Sequence, residues 1–160
     1  MASPNPAAPP ILRRSARAVL IDDDGLLVTI KRTRPGQAPY WTTPGGGVEP
    51  DDPSREAAAA REVAEELGAV VHIGPQVFLT TAPRRAGIQV HHFFLARLIG
   101  IDQSLRTGPE LDDPSRGTYE LARLALDDLA DVDLRPVELR NFIIANTAAL
   151  LADLPGAVSR

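Results

Sequence analysis

The stretch GGGVEPDDPSREAAAAREVAEELGA, residues 45–69, says more about the fold than any other part of the sequence. From Ser54 to Leu67 it consists mainly of strong helix formers. Ser54 can cap the start of a helix, and Gly68 can take the left-handed conformation that ends one. The helix carries an apolar stripe at three- and four-residue spacing, which predicts packing against a sheet: Ala57, Ala60, Val63, Ala64 and Leu67.

Three glutamates on the same helix, Glu62, Glu65 and Glu66, follow the spacing i, i+3 and i+4. This spacing points their carboxylates in one direction. Like charges so placed repel one another, and a hard divalent cation such as Mg²⁺ would relieve the repulsion, since it prefers carboxylate oxygens and substrate phosphates. The alternative is that the three side chains are only the solvated face of an amphipathic helix.

A run of glycines, Gly45 to Gly47, stands just before this helix at the end of a short predicted strand. Glycine lets the backbone approach a ligand or a metal closely, which suits a binding site. An ordinary turn is the alternative interpretation.

These residues together resemble the signature of the Nudix hydrolases. That signature reads glycine, five residues, glutamate, seven residues, then Arg-Glu-apolar-any-Glu-Glu-any-Gly-apolar. Here Gly46 is followed by five residues and Asp52, then by eight residues and REVAEELGA at residues 61–69. The second half matches in full, whereas the first half has aspartate for glutamate and one additional residue.

The resemblance, to MutT-like Nudix hydrolases over about residues 15–150, implies the fold and the chemistry. The implied fold is an α/β/α sandwich of the α/β (α+β) class, with a mixed sheet between helices. Glu62, Glu65 and Glu66 resemble the metal ligands, Gly45 the glycine whose carbonyl often joins the metal shell, and Arg61 the arginine that holds a glutamate in place. Glu62 would also orient or deprotonate water. The implied cofactor is Mg²⁺, with Mn²⁺ as an alternative.

Turn-forming residues divide the rest of the chain into short elements. The hairpin at residues 15–31, turning at 22–25, precedes the box, and further elements follow it. Residues 1–14, which begin MASPNPAAPP, are interpreted as a flexible Pro/Ala-rich leader, and residues 15–155 as a single domain. Other predicted elements are strands at 40–43, 76–82, 88–98 and 118–124, a helix at 136–151 and a long loop at 100–117.

Composition excludes several classes of protein. A net charge of −4 argues against binding long nucleic acid, which requires many Lys and Arg contacts to phosphates. The absence of Cys excludes disulfides, thiolate nucleophiles and Cys-ligated zinc. No apolar run reaches the roughly 20 residues of a membrane helix, and no secretory signal is visible, so a cytoplasmic location is expected. The oligomeric state is left open between monomer and homodimer.

The implied reaction is attack of water on a phosphorus of a nucleoside diphosphate linked to another group. Nucleoside triphosphates, dinucleoside polyphosphates, nucleotide sugars and ADP-ribose all suit the motif. A later glutamate often serves as base in the family, which makes Glu110 and Glu120 candidates, although either can equally be a surface acid. A metal-bound water needs no covalent enzyme intermediate.

Substrate contacts are expected from Gly46, Gly47, Arg32 and Trp41. Arg32 follows the second strand and could meet a phosphate, and Trp41 could stack on a base. For the arginine, simple solvation is the alternative, and for the tryptophan, a place in the core.

Two other functions compete with the enzyme. A Nudix-fold sensor would bind a nucleotide without cleaving it, but the Arg-Glu and Glu-Glu pairs of the motif are all present. A structural protein with an acidic solvated helix would melt at a temperature insensitive to chelators.

Overall fold

The computed structural model describes residues 7–107 and 114–156. Within these ranges the chain forms eight strands and three α-helices. In chain order they are β1 Ile11–Ile21, β2 Leu27–Thr33, β3 Tyr40–Thr42, β4 Gly45–Gly47, α1 Arg55–Leu67, β5 Ala69–Arg84, β6 Gly87–Ile101, β7 Thr118–Leu124, β8 Leu134–Arg135, α2 Val137–Ala145 and α3 Thr147–Ala152.

All eight strands join one mixed sheet. Its main order is β5-β6-β1-β2-β3-β8, and β4 and β7 add to β1 and β2 respectively. The pairs β1–β6 and β3–β8 are parallel, and the other pairs are antiparallel. The predicted hairpin of β1 and β2 is present, but its ladder holds only Leu20 opposite Val28 and Ile21 opposite Leu27. Beyond that point the two strands diverge, and β4 fills the space beside β1.

Helices cover both faces of the sheet, as predicted. Alternation along β1 sends Ala18 and Leu20 toward α1, and Val19 and Ile21 toward α2, and all four are fully buried. Val63 of α1 lies in the same buried apolar cluster as Ala18 and Leu20. The α/β/α arrangement inferred from the sequence is therefore confirmed. No helix in the described ranges has the length and apolarity needed to cross a membrane.

Helix α1 begins and ends where the sequence predicts. The amide of Ala57 donates to the Ser54 side-chain oxygen at 3.0 Å, and Gly68 closes the helix with a φ of 65°. A side chain at Gly68 would collide with the carbonyl oxygen of Asp102. The left-handed turn and the close approach both require glycine there.

The expected leader is wrong for residues 11–14. Ile11 to Arg14 form the start of β1 and pair in parallel with Ile88 to Val90 of β6. The pairing begins one residue earlier, because the amide of Ile88 donates to the carbonyl of Pro10 at 2.9 Å. The strand that pairs with these residues lies more than 70 residues away, so the local sequence gives no sign of the pairing. The Pro- and Ala-rich composition of the first residues therefore led to a predicted leader that extends too far.

Other elements also differ from their predicted bounds, and the strand expected over 76–82 extends over Ala69–Arg84 as β5. The helix expected over 136–151 is divided at Asn146, whose backbone leaves the helical region with φ −125° and ψ 19°. The loop expected over 100–117 contains 3-10 turns at Gln103–Leu105 and Pro114–Arg116. Both C-terminal helices nevertheless pack on the α2 face of the sheet through Leu139, Ile143 and Leu150.

Candidate active site

Glu62, Glu65 and Glu66 of α1 border one cavity of about 470 Å³, which we call the carboxylate cavity. Strand β4 lies against it because it pairs with β1, which also packs against α1. The other residues that line this cavity are Arg13, Arg17, Ile30, Arg32, Thr42, Gly45, Gly46, Gly47, Glu49, Arg116 and Tyr119. The structure thus brings the glycine run and all three glutamates together, as the motif implied.

Gly46 lies against the carboxylate of Glu62. A Cβ atom at this position would sit 2.5 and 2.7 Å from the two carboxylate oxygens. Gly45 has a φ of 154°, and a Cβ there would lie 2.5 Å from the carbonyl oxygen of Ala16. The glycines therefore let β4 approach both β1 and the acidic helix more closely than any other residue could.

Arg61 connects the acidic helix to the loop before it. Its guanidinium makes two hydrogen bonds of 2.9 Å to the carboxylate of Asp52. It also donates to Glu62 at 3.0 Å, to Glu65 at 3.3 Å and to the carbonyl of Gly47 at 3.0 Å. The bonds to Asp52, followed by those to Glu62 and Glu65, raise the pKa of Arg61. Arg61 therefore restrains two of the three glutamates.

Asp52 takes the acidic position of the motif despite the two departures in sequence. It pairs with Arg61, and the bond from Arg61, followed by that from the Glu49 amide, lowers the pKa of Asp52 to about 2. Asp52 also closes a turn ahead of the helix: the Glu49 amide donates to Asp52 Oδ2 at 2.7 Å and the Asp52 amide to the Glu49 carbonyl at 3.0 Å. The carboxylate of Asp52 thus holds both the Glu49 amide and the guanidinium of Arg61.

The donors around the carboxylate cavity suit a hard cation. Among the described residues no three His, Asp or Glu side chains converge into a closed metal site. The cavity instead offers carboxylate oxygens along one open wall, beside the backbone of Gly45. Mg²⁺ binds in this way, through one or two carboxylates with water and phosphate oxygens in its other positions.

Four arginines border the same cavity: Arg13, Arg17, Arg32 and Arg116. Arg32 is 9 % exposed, and its guanidinium lies 3.6 Å from the ring centre of Tyr119 and donates to the carbonyl of Arg116 at 2.8 Å. Its Nε atom is buried and has no hydrogen-bond partner among the described residues. Cations beside carboxylates fit a ligand that brings both a metal and several phosphate charges.

A second cavity of about 960 Å³ adjoins the first, and we call it the apolar cavity. Phe78, Phe93 and Val137 give it apolar walls, and His91 is among its polar residues. Its size lies within the range of small-molecule sites, roughly 300 to 1,000 Å³. Arg17 and Thr42 line both cavities, so the two spaces adjoin at these residues.

The strand alternation separates two expected site residues from the cavities. Trp41 packs against the core on the α2 side, and its neighbour Thr42 faces the cavities instead. Glu120 is exposed and accepts a bond from Thr118 at 3.3 Å, whereas its neighbour Tyr119 lines the carboxylate cavity. In both cases the adjacent residue takes the inward position. Glu110 lies outside the described residues.

Sequence reasoning missed seven of the residues that line the carboxylate cavity: Arg13, Arg17, Ile30, Thr42, Glu49, Arg116 and Tyr119. One signal was available for Arg17, because a charged residue in the apolar run ARAVLI is unusual for a buried strand. Arg13 was hidden by the boundary of the expected leader. Arg116 and Tyr119 reach the cavity through the pairing of β7 with β2, which spacing in sequence does not reveal.

The NUDIX domain family model matches residues 11–139. Among solved structures, the MutT NUDIX hydrolase from Burkholderia pseudomallei is 28% identical, with TM-score 0.53, over 72% of this chain and 84% of that one. The E. coli ORF135 protein is 21% identical, with TM-score 0.62, over 91% and 94% of the two chains. A C. elegans Ap4A hydrolase is 18% identical, with TM-score 0.64, over 88% and 98%. No curated protein matched.

The family match covers most of the chain and includes the glycine strand, Asp52, Arg61 and the three glutamates that border the carboxylate cavity. Members of this family act on small nucleotide substrates and generally use divalent cations. The chain belongs to the NUDIX family of pyrophosphohydrolases.

Proposed function

We propose that this protein is a Mg²⁺-dependent hydrolase that cleaves the pyrophosphate bond of a nucleoside diphosphate linked to another group. The observation that carries the proposal is the carboxylate cavity, in which Glu62, Glu65 and Glu66 face arginines. This cavity adjoins the apolar cavity at Arg17 and Thr42. A diphosphate fits the first space, and the organic group attached to it fits the second. Nucleoside triphosphates, dinucleoside polyphosphates, nucleotide sugars and ADP-ribose share this chemistry.

The residues of the carboxylate cavity would have two roles, metal binding and phosphate binding. Glu62, Glu65, Glu66 and the Gly45 carbonyl would hold Mg²⁺, whose chemistry is to polarise phosphoryl oxygens and lower the pKa of a bound water. Arg32 would bind a non-reacting phosphate oxygen, since its side chain borders the carboxylate cavity.

Glu62 is the residue best placed to take the proton of the attacking water. Its carboxylate is fixed on one side by Arg61 at 3.0 Å and on the other by the close approach of Gly46. A restrained carboxylate can accept a proton in one defined direction, which is what general-base catalysis requires. This assignment draws on α1 alone and needs no glutamate from β7.

The apolar cavity supports a nucleoside as the organic group. Phe78, whose side chain is only partly buried, lines this cavity and offers a flat surface for a base, and its ring centre lies 6.0 Å from that of the fully buried Phe93. His91 lines the same cavity with its Nδ1 atom 2.6 Å from the hydroxyl of Ser15. Burial, followed by the charges of Arg17, Arg84 and Arg13, lowers the pKa of His91. A neutral imidazole can then offer its second nitrogen to a polar edge of the substrate.

The test is a hydrolysis assay with a panel of nucleoside triphosphates, dinucleoside polyphosphates, nucleotide sugars and ADP-ribose, with Mg²⁺ and with EDTA. The parent, Glu65→Gln and the matched control Glu56→Gln are compared. Glu56 lies on the first turn of the same helix, is exposed and borders neither cavity. We expect Mg²⁺-dependent release of phosphate or nucleoside monophosphate by the parent and Glu56→Gln, and its loss in Glu65→Gln.

A non-catalytic sensor is the competing function, and the same assay separates it. A sensor would bind metal and nucleotide but would release nothing from any panel member. Equal turnover by the parent and Glu65→Gln would instead contradict the assignment of the site.

A further inference from the structure

Arg17 has a position that the Nudix motif does not account for. Of the described residues, only Arg17 and Thr42 line both the carboxylate cavity and the apolar cavity, and only Arg17 is charged. A ligand that occupied both cavities would lie beside Arg17 and Thr42.

The surrounding backbone fixes this arginine in place. It lies in the middle of β1, opposite Gly45 of β4 on one edge and Phe93 of β6 on the other. Its Nη1 atom donates to the carbonyl of Thr43 at 3.0 Å. A Cβ at Gly45 would lie 2.5 Å from the Cγ of Arg17, so glycine at that position makes room for the side chain.

The charge of Arg17 is held in a partly buried setting. Burial lowers the pKa of its guanidinium, and the carboxylates of Glu66 and Glu62 oppose this effect. A guanidinium nevertheless stays protonated in proteins, so Arg17 keeps its positive charge. A guanidinium has five N–H donors arranged as a planar fork, which matches the oxygens of a phosphate group.

We propose that Arg17 binds the phosphate at the junction of the two cavities and thereby determines which phosphorus atom is attacked. This inference rests on the proposed hydrolysis of a diphosphate. With the organic group in the apolar cavity, Arg17 meets the phosphate that carries this group. The next phosphate then lies beside the carboxylates and receives the water.

The bond changes follow from this placement. A new P–O bond forms between the water oxygen and the phosphorus beside the carboxylates. The bridging P–O bond breaks, and the phosphate held by Arg17 leaves with the bridging oxygen and its electron pair. The proton of the water passes to Glu62 and then to solvent. The water oxygen therefore ends in the fragment that does not carry the group held in the apolar cavity.

Hydrolysis in ¹⁸O-labelled water tests this assignment with the panel member that the parent turns over fastest. The parent should place the label in one product only, the fragment that does not carry the group held in the apolar cavity. Arg17→Gln should place it in both products and should lower kcat/KM about 10- to 100-fold, the loss expected for a hydrogen bond to a charged group. Arg17→Lys retains the charge but not the fork, and should restore kcat/KM in part while the label remains mixed.

Two controls separate a role in positioning from a role in folding. Arg55→Gln removes an exposed arginine that borders neither cavity, and should behave as the parent does. Binding of Mn²⁺ by each variant reports whether the carboxylate cavity is intact. If Arg17→Gln fails to fold, the label pattern of Arg17→Lys decides. A single labelled product and an unchanged kcat/KM in a folded Arg17 variant would overturn the proposal.

The experiment also distinguishes failure of the proposed function from failure of this inference. If the parent hydrolyses no panel member, the proposed function fails. Arg17 is then judged by the binding of imidodiphosphate, a non-hydrolysable diphosphate, in the presence of Mg²⁺. Weaker binding by Arg17→Gln than by the parent supports the assignment of Arg17 as a phosphate-binding residue, and equal binding, or none by the parent, overturns it.

Discussion

The carboxylate of Asp52 and the guanidinium of Arg61 lie side by side, joined by two hydrogen bonds of 2.9 Å. Arg61 uses its remaining donors for Glu62, Glu65 and Gly47, so this pair ties the loop before α1 to the acidic face of the helix. Only 7 % of the Asp52 side chain is exposed. The orientation of two expected metal ligands thus depends on a residue that touches neither metal nor substrate.

Asp52→Asn should weaken metal binding without unfolding the protein. Asparagine has only one acceptor oxygen, so one of the two bonds from Arg61 is lost together with the charge. Residues that orient metal ligands typically contribute about 10- to 100-fold to metal affinity or activity. Mn²⁺ titration and kcat measure the loss. Asp51→Asn is the matched control, since Asp51 is exposed in the same turn. Equal losses in both variants would mean that the turn, and not the pair with Arg61, sets the geometry.

Gly46→Ala should reduce activity by displacing the carboxylate of Glu62. The new methyl group would lie 2.5 and 2.7 Å from the oxygens of Glu62, so the carboxylate must move away from its present position. We expect a loss of activity of at least about tenfold, because small displacements of positioned groups reduce rates strongly. Gly100→Ala is the control, since no atom lies within 4 Å of a Cβ at that position. Full activity in Gly46→Ala would show that Glu62 tolerates displacement.

The chemistry of the acidic helix could be predicted from sequence because it depends on neighbours within one turn. Ser54, Gly68 and the i, i+3, i+4 spacing of the glutamates are local features, and the structure contains each of them. The α/β/α sandwich could be predicted because each strand and helix has its own hydrophobic pattern. In β1, for example, Ala18 and Val19 face opposite helical layers.

The opposite walls of the cavities could not be predicted in this way. Arg17 reaches the site only because β1 pairs with β4 and with a strand far along the chain. Which of two adjacent residues faces inward depends on the register of pairing, and a shift by one residue exchanges the two faces. This explains why Trp41 and Glu120 were expected at the site while the residues beside them line it.

Arg32→Lys should weaken substrate binding more than it weakens folding. Lysine keeps the charge but cannot lie flat on Tyr119, where Arg32 sits at 3.6 Å, while donating to the Arg116 carbonyl. We expect KM to rise about tenfold and the free energy of unfolding to fall by about 1 to 2 kcal/mol. Arg34→Lys, at an exposed position near the same strand, should change neither. An unchanged KM in Arg32→Lys would remove this residue from the substrate site.

His92 gives the protein a predictable dependence of stability on pH. It is 3 % exposed, its Nε2 lies 3.0 Å from Arg14 Nη1, and its Nδ1 lies 2.8 Å from Gln76 Oε1. Arginine can only donate, so Nε2 accepts and Nδ1 carries the proton. A second proton on the ring would break the bond from Arg14. Burial, followed by the charges of Arg55 and Arg14, accordingly lowers the pKa of His92 to about 4.

The direction of the effect follows from the two pKa values of His92. Below an ordinary pKa of about 6.5 the unfolded chain takes up a proton that the folded protein refuses until about pH 4. Stability should therefore fall as the pH decreases from 6.5 to 4. Between pH 7 and pH 5 the parent should lose about 1 to 2 kcal/mol more unfolding free energy than His92→Gln does. Denaturant unfolding at several pH values measures this, and parallel curves would contradict the assignment.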